Sequence, residues 1–246
     1  MLNSSFHLLN SRRWIPLSDS QYSNDPEEAN YATEIAGRLE EVPVMSATVL
    51  GLEMLLHDPC IDLSLASELV LSDVGATIHV LRLIGREFES AAERPSRMVE
   101  CLASLDVESW FTAISAQTYA CDQEHSHTAA LWRHSRLVAQ YAKLIAYLLN
   151  DISPEDAYLV GLLHEIGSFP ALLGWRNADT GDWSSGFKVA SEESLPLFVV
   201  AAMREANDAE APSVWKFILT AAHRLADIHS DANASPTDDR GQNQNM

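Results

Sequence analysis

Apolar residues recur at three- and four-residue intervals along nearly the whole chain, the spacing of helices that bury one face. No alternating run bounded by hairpin turns interrupts the pattern, so the predicted fold is all-α. Helices are predicted over about 28–41, 46–57, 74–89, 95–103, 106–119, 126–149, 191–205 and 212–229. Two further helices announce their starts. One follows Asp62 in "DPCIDLSLASELV". In "DISPEDAYLVGLLHEIG" Ser153 caps, Pro154 takes the first helical position, Glu155 and Asp156 face the positive end of the dipole, and Gly167 ends the helix. On 126–149, His134, Val138, Tyr141, Ile145 and Leu148 fall on one stripe, which points His134 at the core. On the next helix Ala157, Gly161 and His164 share a face, and Gly161 leaves room for a neighbouring helix. Two inward histidines on antiparallel neighbours, one followed directly by Glu165, can meet at one point, and divalent metals accept such mixed imidazole and carboxylate sets.

Composition narrows the partners. The 246 residues allow one large domain or two small ones, and the formal charge of −19, from 16 Lys+Arg against 35 Asp+Glu, repels a nucleic-acid duplex or an anionic membrane. Cys60, Cys101 and Cys121 are far apart and form no C-x-x-C pair, which suits a reducing cytosol. The start lacks the basic head and apolar run of a signal peptide, and the longest apolar run, 195–203, is too short to span a bilayer. A cytoplasmic protein with no nucleic-acid partner and no membrane insertion is expected. Residues 1–27 read as an arm and 231–246 as a disordered tail. The long interior loop 174–190 carries Trp175, Trp183 and Phe187, a candidate partner-binding patch or a cluster packed over the core. "HEIGS" lacks the second histidine of H-E-x-x-H, and no P-loop, G-x-G-x-x-G or G-x-S-x-G is present.

The stretch "WRHSRLVAQYAKLIAYLLN…SPEDAYLVGLLHEIG" resembles the metal-binding core of the HD phosphohydrolase superfamily, in which a first His and a later His-Asp pair hold the metal. The upstream "EVPVMSATVLGLEMLLHDPCIDLSLASELVLSDVGATIHVLRLIG" is similar to the N-terminal half of HDOD domains, the HD-related output domains of bacterial signalling proteins. The likeness covers roughly 30–230. It implies a helical bundle of two packed lobes, 28–120 and an HD-like 121–230, within a domain spanning 28–230. The family's "DP" of the second segment is Asp73-Val74 here. "TAAHRLADIHS" resembles the last helix, whose Ala-Asp supplies the final ligand, so the resemblance implies a metal set of His134, His164, Glu165 and Asp227.

The departures weigh against turnover. Glu165 replaces the Asp of the HD pair, and Arg204 and Glu205 stand where phosphodiesterase relatives carry two histidines. An extra methylene moves the carboxylate by roughly a bond length, where productive sites tolerate only ~0.5 Å. Phosphoester hydrolysis also wants cations on the phosphoryl oxygens, and Arg133, Arg136 and Arg204 are the available ones. The expectation is a non-catalytic signal-transduction module that works through a protein partner, with a vestigial or weak metal site and no catalytic residue. No cofactor is expected unless a divalent metal binds. The alternative is a metal-dependent phosphohydrolase acting on a nucleotide or phosphoester through the same four residues. A sensor binding a small ligand in the inherited pocket is a third reading. As a surface helix pair, His223 and Asp227 have a simpler explanation.

Overall fold

The computed structural model describes residues 39–88, 90, 93–117, 126–169, 195–208 and 213–234. Trp175, Trp183, Phe187, Cys121 and residues 28–38 lie outside the described residues. Among the described residues nine α-helices are seen: α1 Ser46–Leu56, α2 Leu63–Leu71, α3 Val74–Glu87, α4 Met98–Ser104, α5 Val107–Ser115, α6 Ser126–Leu149, α7 Pro154–Leu163, α8 Leu197–Asn207 and α9 Val214–Ala234. Short 3₁₀ turns occupy Leu39–Glu41 and Ile166–Ser168. The fold class is all-α, as the apolar period requires.

Side-chain caps set several of these boundaries. Asp62 accepts from the backbone N–H groups of Ser64 and Leu65, and Asp106 from that of Ser109. Ser153 accepts from Asp156 N–H with Pro154 behind it. Each such cap is worth about 1 kcal/mol. The bend between α6 and α7 turns on Asn150, at φ 59, a left-handed position that asparagine tolerates better than most residues. The ends of other helices differ from the periodic reading by a few residues. The segment after Pro95 becomes helical only at Met98, and α9 continues to Ala234 through residues without an apolar period.

Helices α1 to α5 pack around α3, which buries Val74, Ala76, Ile78, Val80, Leu81 and Ile84. Helices α2 and α3 meet at 117°, and Asp73 sits at that corner. Its carboxylate is fully buried and accepts from Met45 N–H at 2.8 Å, Ala76 N–H at 3.2 Å and Trp132 Nε1–H at 3.1 Å. The last bond ties the corner to α6, and the Tyr158 hydroxyl ties α7 to the Leu71 carbonyl at 3.0 Å. Burial pushes the Asp73 carboxyl above the usual range, against the pull of its donors.

Helices α6 and α7 are antiparallel and in close contact. A Cβ on Gly161 would lie 2.8 Å from the Ala139 Cα and 3.1 Å from the Ala142 Cβ, so only glycine admits this spacing. That contact corrects the wheel drawn for α6. Its buried face is Thr128, Trp132, Ser135, Val138, Ala139, Ala142 and Ala146, whereas Tyr141 and Ile145 are half-buried and Leu148 is 78% exposed. Close helix approach selects small side chains over bulky ones, so the alanine row lies inside and His134 flanks it. Helix α9 crosses the other flank of α6. The ring pairs His134–His223 and Tyr141–His229 ascend together on both helices, which therefore run parallel.

Candidate metal centre

Four side chains converge where α6, α7 and α9 meet: His134, His164, Glu165 and His223. Each offers one donor atom, and the four donors lie within 4.8 Å of one another. Ring centroids are 5.6 Å apart for His134–His164, 4.9 Å for His134–His223 and 4.5 Å for His164–His223. The Glu165 Oε1 lies 3.4 Å from His164 Nε2 and 4.0 Å from His223 Nε2. The His164 side chain is 0% exposed, Glu165 24% and His223 23%, so the cluster has a sealed inner wall and a solvent-facing side.

Local chain geometry aims the two α7-end residues. The helix stops at Leu163 rather than continuing to Gly167. His164 Nδ1 lies 2.6 Å from the Gly161 carbonyl, the acceptor that the next turn of helix would use. A carbonyl only accepts, so Nδ1 carries the hydrogen and donates, and Nε2 is the atom presented to Glu165. The Ser168 hydroxyl donates to Glu165 Oε2 at 2.6 Å, and the Ser168 N–H donates to the Glu165 carbonyl at 2.8 Å. Oε1 is thereby left facing the imidazoles. Immediately beyond, Phe169 stacks on Trp132 at 5.4 Å, pinning this segment to α6.

The protonation states suit ligands. The His164 imidazole beside Glu165 holds its carboxyl down at about 2, overriding the opposing effect of burial, with further help from Ser168 and His223. Burial takes His223 down to about 4, aided by the neighbouring His164 and His134, and it lowers His134 in the same way. Neutral imidazole and ionised carboxylate are the forms that bind a divalent ion.

Of the residues anticipated from sequence, the structure brings His134, His164 and Glu165 together. Asp227 is exposed and outside the 4.8 Å group, although its charge reaches His134 and His223. His223, one turn before it, takes the nearer place. A readable signal existed, because His223 and Asp227 lie on the same flank of α9, but choosing between them needs the height of α9 against α6. Arg133, Arg136 and Arg204 are all exposed.

Three imidazoles and a carboxylate fit one divalent ion. A tetrahedral ion with bonds of about 2.0–2.1 Å sets its ligands roughly 3.3–3.5 Å apart. The 3.4 Å pair already meets that spacing, and the 4.0 Å pair needs to close by a few tenths of an ångström.

The all-α scaffold is an HD-like helical fold. The HDOD domain profile matches residues 42–179, more than half of the sequence, and the chain belongs to the HDOD domain family. Among solved structures, the MmoQ response regulator of Methylococcus capsulatus str. Bath is similar with a TM-score of 0.62 at 17% identity, over 79% of this chain and 89% of that one. A fragment of the same regulator gives 0.60 at 16% identity, over 80% and 87%. An HDOD domain protein of unknown function from Geobacter sulfurreducens is 22% identical over 87% of this chain and 83% of that one, with a TM-score of 0.35. No curated protein matches the sequence. Among the described residues no single helix is long and apolar enough to cross a membrane.

Proposed function

We propose that this chain is a non-catalytic signal-transduction module of bacterial, cytoplasmic HDOD type, acting through contact with a protein partner. Family membership and the resemblance in fold to a protein described as a response regulator support the class. One observation carries the non-catalytic part. Arg133, Arg136 and Arg204, the cations the sequence offers, are all exposed, whereas His164, the innermost of the clustered side chains, is fully buried. A phosphoryl group entering this site would meet the Glu165 carboxylate, and none of those three arginines is buried at the cluster to hold the transferring oxygens, where phosphoester hydrolysis needs positive charge.

The measurement that tests this reading is hydrolysis of p-nitrophenyl phosphate and bis(p-nitrophenyl) phosphate, with Mg²⁺, Mn²⁺ or Zn²⁺ supplied. The expected result is a rate equal to that of the metal alone. Turnover that is lost in His164→Ala would overturn the reading in favour of the phosphohydrolase.

A further inference from the structure

We propose that His223 is the fourth ligand of a single transition-metal site formed with His134, His164 and Glu165, and that Asp227 lies outside the coordination shell. The site selects a zinc-class ion over magnesium. This assignment is independent of the non-catalytic reading above, because an ion can bind without turnover.

The geometry of His164 and Glu165 starts the argument. With Nδ1–H committed to the Gly161 carbonyl, Nε2 faces the Glu165 carboxylate from 3.4 Å. Both atoms are ones that a divalent ion accepts, and their separation is that of two neighbouring ligands of one ion. A hydrogen bond between those two groups would by itself require nothing further from the fold. Yet α6 and α9 bring two further imidazoles to the same point, His134 and His223, each with its ring centroid within 5.6 Å of that of His164. Their donor atoms and those of His164 and Glu165 all lie within 4.8 Å of one another. A single divalent ion satisfies all four donors at once, which a proton cannot.

The donor types then choose the ion. Imidazole nitrogen favours zinc, cobalt, nickel and iron, whereas magnesium demands near-octahedral oxygen and keeps its waters. The second contacts have the form of ligand-orienting bonds, with the Gly161 carbonyl fixing the tautomer of His164 and the Ser168 hydroxyl fixing the rotamer of Glu165. Glu165 and His223 remain partly exposed, which leaves the outer face open to a water ligand.

The test is titration of the full chain, stripped with a chelator, using Co²⁺ as the spectroscopic probe and Zn²⁺ and Mg²⁺ as competitors. One Co²⁺ per chain is expected, with ligand-field bands unlike those of aqueous cobalt, displaced by Zn²⁺ and untouched by equal Mg²⁺. His223→Gln should weaken binding by at least about tenfold, since even orienting contacts around a metal are worth that much. Asp227→Asn should leave affinity nearly unchanged. Circular dichroism of metal-free His223→Gln separates ligand loss from unfolding. Should that variant fail to fold, ¹⁵N-histidine NMR of the wild type decides, because Zn²⁺ must shift His134, His164 and His223 together. Absence of binding by the wild type, preference for Mg²⁺, loss of binding in Asp227→Asn, or an unmoved His223 resonance would each overturn the assignment.

Discussion

Among the described residues, two polar nodes are built on opposite principles. At the corner of α2 and α3, Asp73 accepts hydrogen bonds of 2.8–3.2 Å from Met45 N–H, Ala76 N–H and Trp132 Nε1–H, with the Thr48 side chain as a further donor. At the junction of α6, α7 and α9, four side chains of ligating type face one another at 3.4 Å and 4.0 Å. The first node is saturated: every interaction is donor to acceptor at ordinary length, and the product is a rigid joint between two groups of helices. The second gathers three imidazoles and a carboxylate, all groups that bind divalent ions, with their donor atoms within 4.8 Å of one another. Buried polar groups that serve architecture find complementary partners. A cluster of ligating groups whose donor atoms converge has the composition of a metal receptacle.

The sharpest way to break this comparison is at the saturated node. Asp73→Ala strands three buried donors, Met45 N–H, Ala76 N–H and Trp132 Nε1–H, and removes the cap of α3. Unmet buried donors cost about 1–3 kcal/mol each, so a loss of about 3–5 kcal/mol is expected in urea unfolding. A loss below about 1 kcal/mol would show that the corner is not a joint. Gly161→Val follows. Its Cβ meets the backbone of Ala139 rather than a yielding side chain, so α6 and α7 must separate at a cost of about 2–3 kcal/mol, read in the same assay.

Acid provides a third and smaller perturbation, again on the structural side. His79 is buried and its ring donates from Nε2 to the Val42 carbonyl at 2.8 Å. Burial lowers its pKa, so as pH falls below about 6.5 the unfolded chain takes up the proton first. The stability linked to His79 is therefore full above that pH and declines as pH falls through the depressed folded value. His79→Gln should flatten the difference in unfolding free energy between pH 7.5 and pH 5 relative to the wild type. An unchanged pH dependence would contradict the burial argument.

The smallest effect is expected at the cluster itself. In chelator, His223→Gln should change unfolding free energy by less than about 1 kcal/mol, because it removes a partly exposed imidazole rather than a fully buried acceptor such as Asp73. Together with the large loss expected at Asp73, that outcome would sharpen the contrast between joint and receptacle. A loss at His223 as large as that at Asp73 would erase it.

The helical class, the caps at Asp62 and Ser153, the span of α6 and the close approach at Gly161 were all legible in the sequence, because each rests on local period, backbone chemistry or the absence of a side chain. The convergence of His134, His164 and Glu165 was also legible, since antiparallel neighbours joined by a short turn have few ways to face each other. The inner face of α6 was not. Hydrophobic size favours the row through Tyr141, Ile145 and Leu148, but the distance between helix axes decides, and a short distance puts Ala139, Ala142 and Ala146 inside. The end of α7 was misplaced for a similar reason: the side chain of His164 competes for the Gly161 carbonyl, and no residue count reveals that. Between His223 and Asp227 the sequence offered two residues on one flank of α9, and only the axial height of that helix against α6 places the imidazole at the cluster and the carboxylate outside it. Local structure follows from near neighbours along the chain, whereas the height of one helix against another is settled by all their packed side chains at once.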